Sequence, residues 1–286
     1  MTDEEWAEHR PAVFGVAYRL LGTVADAEDV VQDVWLRAAA ADLSEVTDLR
    51  AWLVTVAARR SYDVLRSARV RRETYVGPWL PEPLLTGPDA AEPVLVDESV
   101  STAMLLVMEE LTPPERVAFV LHDVFGMPFG EVAGVLGNSP AASRQLASRA
   151  RRRVAAAGER PRATGPERER VLAAFRTAYE TGDLERLVRL LHPDAVYVTD
   201  GGGKVSAARK LIVGGRRVAE VLHRVRVRHA FGHAVPCEVG GEPALAILRD
   251  GAVAAIDTFD ITADGRILAV RRVINPDKLA RVALPA

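Results

Sequence analysis

Apolar positions recur at helical spacing through the first half of the chain and alternate like strands through its last third. Phe14, Ala17, Tyr18 and Leu21 mark a helix over 3–21, closed by Gly22. Val30, Val31, Val34, Trp35 and Ala38 stripe a second helix over 25–41, and a polar loop follows over 42–48. Trp52, Leu53, Val56, Ala57 and Leu65 stripe a third helix from Leu49 to about residue 68. Helices resume over 100–111 and from Thr112 to about Phe125, where Thr112, Pro113 and Glu115 form a helix-start pattern. A short helix over 128–137, a turn at Asn138-Ser139 and a helix from Pro140 to about residue 155 make a helix-turn-helix.

The pattern changes after a Gly/Pro-rich break at 158–166. Two helices are expected over 167–181 and 184–191, and a strand over 195–199. Asp200-Gly201-Gly202-Gly203-Lys204 is glycine-rich but lacks Walker spacing, and reads as a tight corner presenting Asp200 and Lys204. A helix is expected over 215–228. Strands follow over 234–239, 243–249, 252–261 and 266–274, joined at Gly240-Gly241, Asp250-Gly251 and Asp264-Gly265. Helices followed by an antiparallel sheet imply an α+β domain folded over a cavity. The expected organisation is therefore multidomain: helical domains over 1–73 and 98–157, a linker over 74–97, and the α+β domain over 165–286.

One stretch breaks the pattern. Tyr75-Val76-Gly77-Pro78-Trp79-Leu80-Pro81-Glu82-Pro83 is too proline-rich for a helix, yet carries apolar residues that a solvated linker avoids. It reads as a stiff strap that docks on a surface, with a softer acidic linker over 84–96 behind it. The expected dock is the Asp200–Lys204 corner, with Asn275, Pro276, Asp277 and Lys278 helping to build it, Trp79 dominating and Glu82 pairing with Lys204.

Charge adds the candidate chemistry. The 286 residues carry a formal charge of only -2, so basic character is local: Arg59, Arg60, Arg66, Arg69, Arg71 and Arg72 form one cluster, and Arg144, Arg149, Arg151, Arg152 and Arg153 another. Arg59, Arg60, Tyr62 and Arg66 suit phosphates and unstacked bases. Ser139, Pro140, Arg144, Gln145, Ser148 and Arg149 sit near the start of the second helix of the helix-turn-helix, where side chains read base edges and phosphates. Asp26, Glu28 and Asp29, with Gln32 beyond, suit either the helix dipole or a basic partner. Two DNA contacts on a chain without basic excess point to a larger partner that joins them.

Other chemistry is thin. Cys237 stands alone, so no intrachain disulfide forms, and no cluster has zinc spacing. No cofactor is expected. His192, Asp194, His223, His229, His233 and Asp257 are candidate acids and bases, but no spacing selects a pair. No apolar run spans a bilayer and no leader precedes the first helix, so a cytoplasmic chain without membrane contact is expected.

These motifs resemble the extracytoplasmic-function sigma factors of bacterial RNA polymerase. Tyr18–Gly22 leading to Asp26–Gln32 is similar to that family's polymerase-binding helix, 51–66 to its minus-ten helix, and 111–153 to its minus-thirty-five domain. Ser143 departs from the aliphatic residue usual at its position. Residues 75–83, 200–204 and 275–279 resemble signature stretches of a subgroup with a fused cone-shaped SnoaL-like domain. The resemblance implies core RNA polymerase and promoter DNA as partners, DNA melting with capture of a flipped base near residues 42–48 and the helix bearing Arg59, no enzymatic activity, and regulation in cis by the fused domain. A small-molecule ligand of the cavity stays open as a further partner. Two rival readings are a ligand-sensing DNA-binding regulator that works without polymerase and a cyclase- or isomerase-like enzyme with a DNA-binding appendage.

Overall fold

The structure is a computed structural model; it describes residues 1–73, 75–86, 101–157, 163–228 and 233–284, without the side chains of 68–73 and 157. It divides into two compact units. The first comprises 1–73 with 90–159, and the second 74–89 with 160–286.

The first unit is helical. Helix α1 (Asp3–Leu21) starts at a Thr2–Glu5 capping box and ends at Gly22 with φ 72°. Helices α2 (Val24–Ala40) and α3 (Leu49–Glu73) pack against it. Helix α3 runs five residues past its expected end, because the arginines after Ala68 are good helix formers and no breaker precedes Gly77.

Residues 12–21 of α1 are buried all round, including Arg19 at 1% exposure. Arg19 Nη1 donates to Gly15 O at 3.0 Å, and its guanidinium lies 5.5 Å from the Phe125 ring centroid. A Cβ on Gly15 would stand 2.9 Å from that nitrogen, so a side chain there would displace the tip of Arg19.

Phe125 follows α4 (Thr102–Glu109), α5 (Pro113–Phe119) and a π-helical turn over Val120–Val124. Expected as a single helix to about Phe125, this segment changes winding at Val120. Arg116, 2% exposed, ties these helices to α1: it donates to Met108 O at 2.8 Å and Leu20 O at 3.0 Å, and pairs with Glu109. Burial lowers its pKa to about 9, which leaves it charged at neutral pH.

Helices α6 (Phe129–Leu136) and α7 (Pro140–Ala157) form the helix-turn-helix, with Gly137 left-handed at φ 67°. The buried Ser143 that replaces an aliphatic residue donates to Asn138 Oδ1 at 2.7 Å and so locks the turn. Glu115 fixes α7 to α5. It accepts from Thr112 N at 3.0 Å and Thr112 Oγ1 at 2.8 Å, and pairs with Arg149 and Arg153 at 3.1 and 2.9 Å.

The second unit is a seven-stranded sheet with helices α8 (Gly165–Thr181), α9 (Leu184–Leu190) and α10 (Gly215–Arg228) over one face. Strand order is β1 (Leu85–Thr86), β4 (Ala234–Val239), β5 (Glu242–Arg249), β6 (Ala252–Ile261), β7 (Ile267–Val273), β2 (Leu191–Asp200), β3 (Ile212–Val213). Only β2 and β7 pair in parallel. This is the α+β cone implied by the sequence, and the polar Asp257 sits at its centre.

Asp257 and Arg272 face each other across β6 and β7, both fully buried, with two charge-assisted bonds of 2.6 and 2.7 Å. Asp257 holds the Arg272 guanidinium charged against its burial, and the Tyr179 and Tyr197 rings lie 5.4 and 6.0 Å from it. Cys237 lies in β4, where burial pushes its thiol up to about 12.

Two strands were not legible. β3 is two residues long, and β1 lies in the expected soft linker, where it pairs antiparallel with β4, Leu85 opposite Val239. Leu85 joins Leu279, Val282 and Leu284 over the second apolar cluster of the sheet, around Ala246 and Ile256. Most of the soft linker, with the expected helix start at residue 100, lies outside the described residues.

Glu115 gives the first unit an acid-sensitive joint. Burial works against its charge, but the Thr112 bonds, Arg153 and Arg149 outweigh it and hold its pKa below 4.5. A carboxylate lowered on folding stabilises above its unfolded pKa and loses that contribution as pH falls through the folded value. Glu115→Gln should therefore lower the melting temperature at pH 7, with the gap to wild type closing below pH 4.5. A gap independent of pH from 7 to 3 would show that charge is not what Glu115 contributes.

Candidate functional site

Helix α2 is amphipathic, and its open face differs from the acidic patch expected. Asp26 belongs to the helix start: its carboxylate accepts from Thr23 Oγ1 at 2.7 Å, and its N–H donates back at 3.3 Å. Glu28 pairs with Arg10 of α1 at 2.9 Å. Both are half-buried in local duties, so the three carboxylates do not share one open face. Asp29 and Gln32 are exposed, and Leu36, one turn on, is 64% exposed. Their spacing of three and four puts them on one stripe. Leu36 was not singled out from sequence; its position outside the stripe of Val30, Val31, Val34, Trp35 and Ala38 was the available signal.

On α3, Arg59 and Arg66 are exposed, and Tyr62 between them lies 5.9 Å from the Arg66 guanidinium. Arg60 pairs with Asp33 of α2, its side chain remaining 41% exposed. The side chains of Arg69, Arg71 and Arg72 lie outside the described residues. On α7, Ser139 Oγ accepts from Ala142 N at 3.2 Å, and Pro140 opens the helix. Arg144, Gln145 and Ser148 are exposed, and Arg144 stacks 5.3 Å from the Phe129 ring. Arg149 and Arg153 are held by Glu115, and Arg151 by Asp123 at 3.3 Å. Gln145, Ser148 and Arg144 form the open part of the recognition face.

In the second unit a strap over residues 75–86 is clamped on the cone around one carboxylate. Asp200, fully buried at the end of β2, accepts from Tyr75 Oη at 2.6 Å and Gly202 N at 3.0 Å through Oδ1. Through Oδ2 it accepts from Leu80 N at 2.9 Å and Lys278 Nζ at 2.7 Å. Lys278, on α11 (Pro276–Leu279), also donates to Leu80 O and lies 4.4 Å from the Trp79 ring centroid and 5.2 Å from that of Tyr75. Asn275 donates to Tyr75 Oη at 2.9 Å and caps α11 by accepting from Asp277 N at 3.1 Å. Burial first, and the Asp200 carboxylate second, push Tyr75 well above the ordinary tyrosine value, so it remains a donor.

Leu80 at 1% exposure, with the buried Pro81, Glu82 and Pro83, makes the apolar anchor. Trp79 is half-buried, with its ring centroid 4.4 Å from Lys278 Nζ. Lys204 pairs with Asp277, not with Glu82. The glycines matter individually: a Cβ on Gly202, at φ 61°, would stand 2.4 Å from Asn275 Nδ2, and one on Gly203 would stand 3.0 Å from Val76 Cβ. Gly201 is packed as tightly, 2.8 Å from Ala207. Beyond the clamp the strap is zipped by Gly240 N to Leu84 O at 3.0 Å and Gly241 N to Thr86 Oγ1 at 2.9 Å. The bond from Tyr75 to Asp200 and the β1 pairing were the parts of this site not foreseen from sequence.

The candidate acids and bases do not converge. His192 faces the exposed Asp194, and His233 is exposed. Asp257 is committed to Arg272, His223 lies apart on α10, and His229 lies outside the described residues. Among the described residues no group of His, Cys, Asp and Glu could hold a metal ion.

Residues 6–71 match the family Sigma-70 region 2, and residues 101–154 match Sigma-70, region 4. The chain is 43% identical over 97% of its length, and 93% of the relative's, to "ECF RNA polymerase sigma factor SigJ" of Mycobacterium tuberculosis. The chain belongs to the ECF RNA polymerase sigma factors. It is also 33% identical to "Probable ECF RNA polymerase sigma factor SigI" of the same species, over 96% of this chain and 93% of that one. The crystal structure of the Mycobacterium tuberculosis extracytoplasmic function sigma factor SigJ superposes with a TM-score of 0.79 at 40% identity, covering 99% of this chain and all of the other. Sigma factors partner with core RNA polymerase and promoter DNA, and this chain acts in promoter-specific transcription initiation.

The clamp generates a direct expectation. Asp200→Ala leaves Lys278 buried without its carboxylate, a change that costs about 3–5 kcal/mol in such pairs. Hydrogen exchange across residues 75–86 should accelerate strongly while that of α10 stays near wild type. Unchanged protection of the strap would remove Asp200 from its central place.

Proposed function

We propose that the C-terminal domain controls this sigma factor in cis by holding the strap, and that the faces described above are its working surfaces. One observation carries this: Asp200 and Lys278 grip both the N–H and the C=O of Leu80. The strap, residues 75–86, is part of the tether between α3 and α4. At ~3.3 Å per residue, clamping these twelve residues takes up to roughly 40 Å of extensible chain out of that tether.

Tether length matters because of what the helices must reach. The minus-ten and minus-thirty-five elements lie about 25 base pairs apart, roughly 85 Å at 3.4 Å per step. A helical unit of this size is roughly 40 Å across. The α1 and α5 segments joined by Arg116 and Leu20 O must therefore part for both elements to be read at once. A released strap permits a longer span and a clamped one restricts it, which makes the strap a two-state element.

In this reading Asp29, Gln32 and Leu36 of α2 meet core polymerase, Arg59, Tyr62 and Arg66 serve the minus-ten region, and Arg144, Gln145 and Ser148 read the minus-thirty-five element. Arg149 and Ser139 sit beside phosphates. No helix among the described residues is long and apolar enough to cross a membrane; membership of the sigma factors supports the proposed cytoplasmic site of action. The C-terminal domain serves as a regulator, not an enzyme, and its cavity accepts a small molecule. Among the described residues, no Asp, Glu or His lines that cavity, which leaves a cyclase or isomerase reading without a base.

Two variants separate the roles of α2. A Leu36→Ala/Gln32→Ala pair should weaken association with core polymerase by about tenfold or more without changing the melting temperature. Glu28→Ala should instead lower the melting temperature through loss of Arg10. Undiminished polymerase binding by the Leu36/Gln32 variant would sink the assignment of that face. On α7, Arg144→Ala should cost about 1–3 kcal/mol at one upstream base position. An equal loss on every promoter variant would make Arg144 a phosphate contact.

A further inference from the structure

The cavity of the C-terminal domain has a chemical signature of its own. It measures about 770 Å³, within the range that encloses a drug-sized ligand. Its walls are mostly apolar: Val221 and Val225 from α10, Val253 and Ala254 from β6, Ile274, and Leu279 from α11. Three exposed arginines also line it, Arg224 and Arg228 from α10 and Arg249 at the end of β5. Arg272 reaches it too, but its charge is met by Asp257. Among the described residues no carboxylate lines the space, so nothing in its wall offsets the three arginines.

We propose that this cavity binds an apolar small molecule bearing a single carboxylate, its body against the valine wall and its acid at Arg224, Arg228 and Arg249. A neutral apolar ligand would leave the three arginines of the wall without a counter-charge. A polyphosphate would leave the valine wall uncovered. An amphipathic acid satisfies both halves, and a carboxylate matches the planar fork of an arginine.

The cavity also shares a wall with the clamp. Pro276 and Leu279 line it, while Lys278 on the same short helix and Asn275 at its cap hold Tyr75, Leu80 and Asp200. A ligand that fills the cavity presses on the helix that grips the strap, so occupancy changes the stability of the clamp. This coupling rests on the regulatory reading above; the binding itself does not.

The test uses the full-length chain and two probes with the same tail, octanoate and 1-octanol, titrated calorimetrically. Octanoate should bind saturably with one site per chain, and octanol roughly tenfold more weakly, the difference one lost ion pair of this kind makes. Val253→Trp fills the cavity and should abolish binding. Arg224→Gln/Arg249→Gln alters only exposed side chains, so it leaves the fold intact and should bring octanoate down to the level of octanol. Absence of saturable octanoate binding, equal affinity for octanol, or full affinity in the arginine variant would each overturn the proposal. Hydrogen exchange reads the coupling: saturating octanoate should shift exchange across residues 75–86. Binding without that shift refutes the coupling alone. A strap whose exchange is also insensitive to Asp200→Ala points instead to failure of the clamp reading.

Discussion

A buried carboxylate that meets a buried ammonium decides how the second unit is built. Isolated in the interior, either Asp200 or Lys278 would be prohibitive, and together they are tolerable only because every remaining lone pair and proton finds a partner. Apart from the Gly202 amide, those partners come from the strap: the Tyr75 hydroxyl, the Leu80 amide and the Leu80 carbonyl. The strap thus completes a site that would otherwise hold buried charge with incomplete hydrogen bonding. Such an arrangement specifies one register for the strap, since a shift of one residue would present Pro81, which has no N–H, where Leu80 donates.

The same logic of paired buried charge recurs at each joint. Arg272 and Asp257 fix the centre of the cone, Arg116 ties α5 to α1, and Glu115 ties α5 to α7. They differ in how replaceable their partners are. Arg272 has its carboxylate on the neighbouring strand, so that pair stays made whenever the sheet is folded. Arg116 donates to the carbonyl of Leu20, a group at a helix C-terminus that water can satisfy equally well. The contact made by Arg116 between the two sigma regions is therefore one that can open without stranding a charge, as the proposed reading of both promoter elements at once requires.

Much of this was legible in the sequence because local rules and global packing agree. The helix start at Thr112, the Gly22 and Gly137 stops, and the glycine hairpins gave the element order with small boundary errors. The strap stood out as apolar residues where a linker should be polar. What escaped has a common cause. The two-residue strands β1 and β3 carry too few residues for a period, and their pairing is a tertiary fact. The partner of Lys204 was misassigned to Glu82 because pairing by charge ignores depth: Glu82 is buried, whereas Asp277 lies exposed beside Lys204. Asp26 and Glu28 looked like a partner surface, yet the capping and ion-pair geometry that occupies them depends on Thr23 and on Arg10, eighteen residues before Glu28. Leu36 was passed over because it lies outside the inward stripe of α2 and carries no charge to mark it, although it is 64% exposed.

Control in cis is the central claim, and transcription reads it most directly. Core RNA polymerase supplied with equal amounts of the wild-type chain or of Tyr75→Phe, which removes one hydroxyl from the clamp while keeping its ring, should give different initiation rates in vitro from a promoter that this sigma factor recognises. Binding to core polymerase, measured in parallel, should be unchanged. The effect should be larger for Lys278→Met, which removes the charge that holds both Asp200 and Leu80. Equal initiation rates from all three proteins at matched occupancy of core polymerase would contradict the account, because the strap would then be a structural fastening with no influence on the promoter.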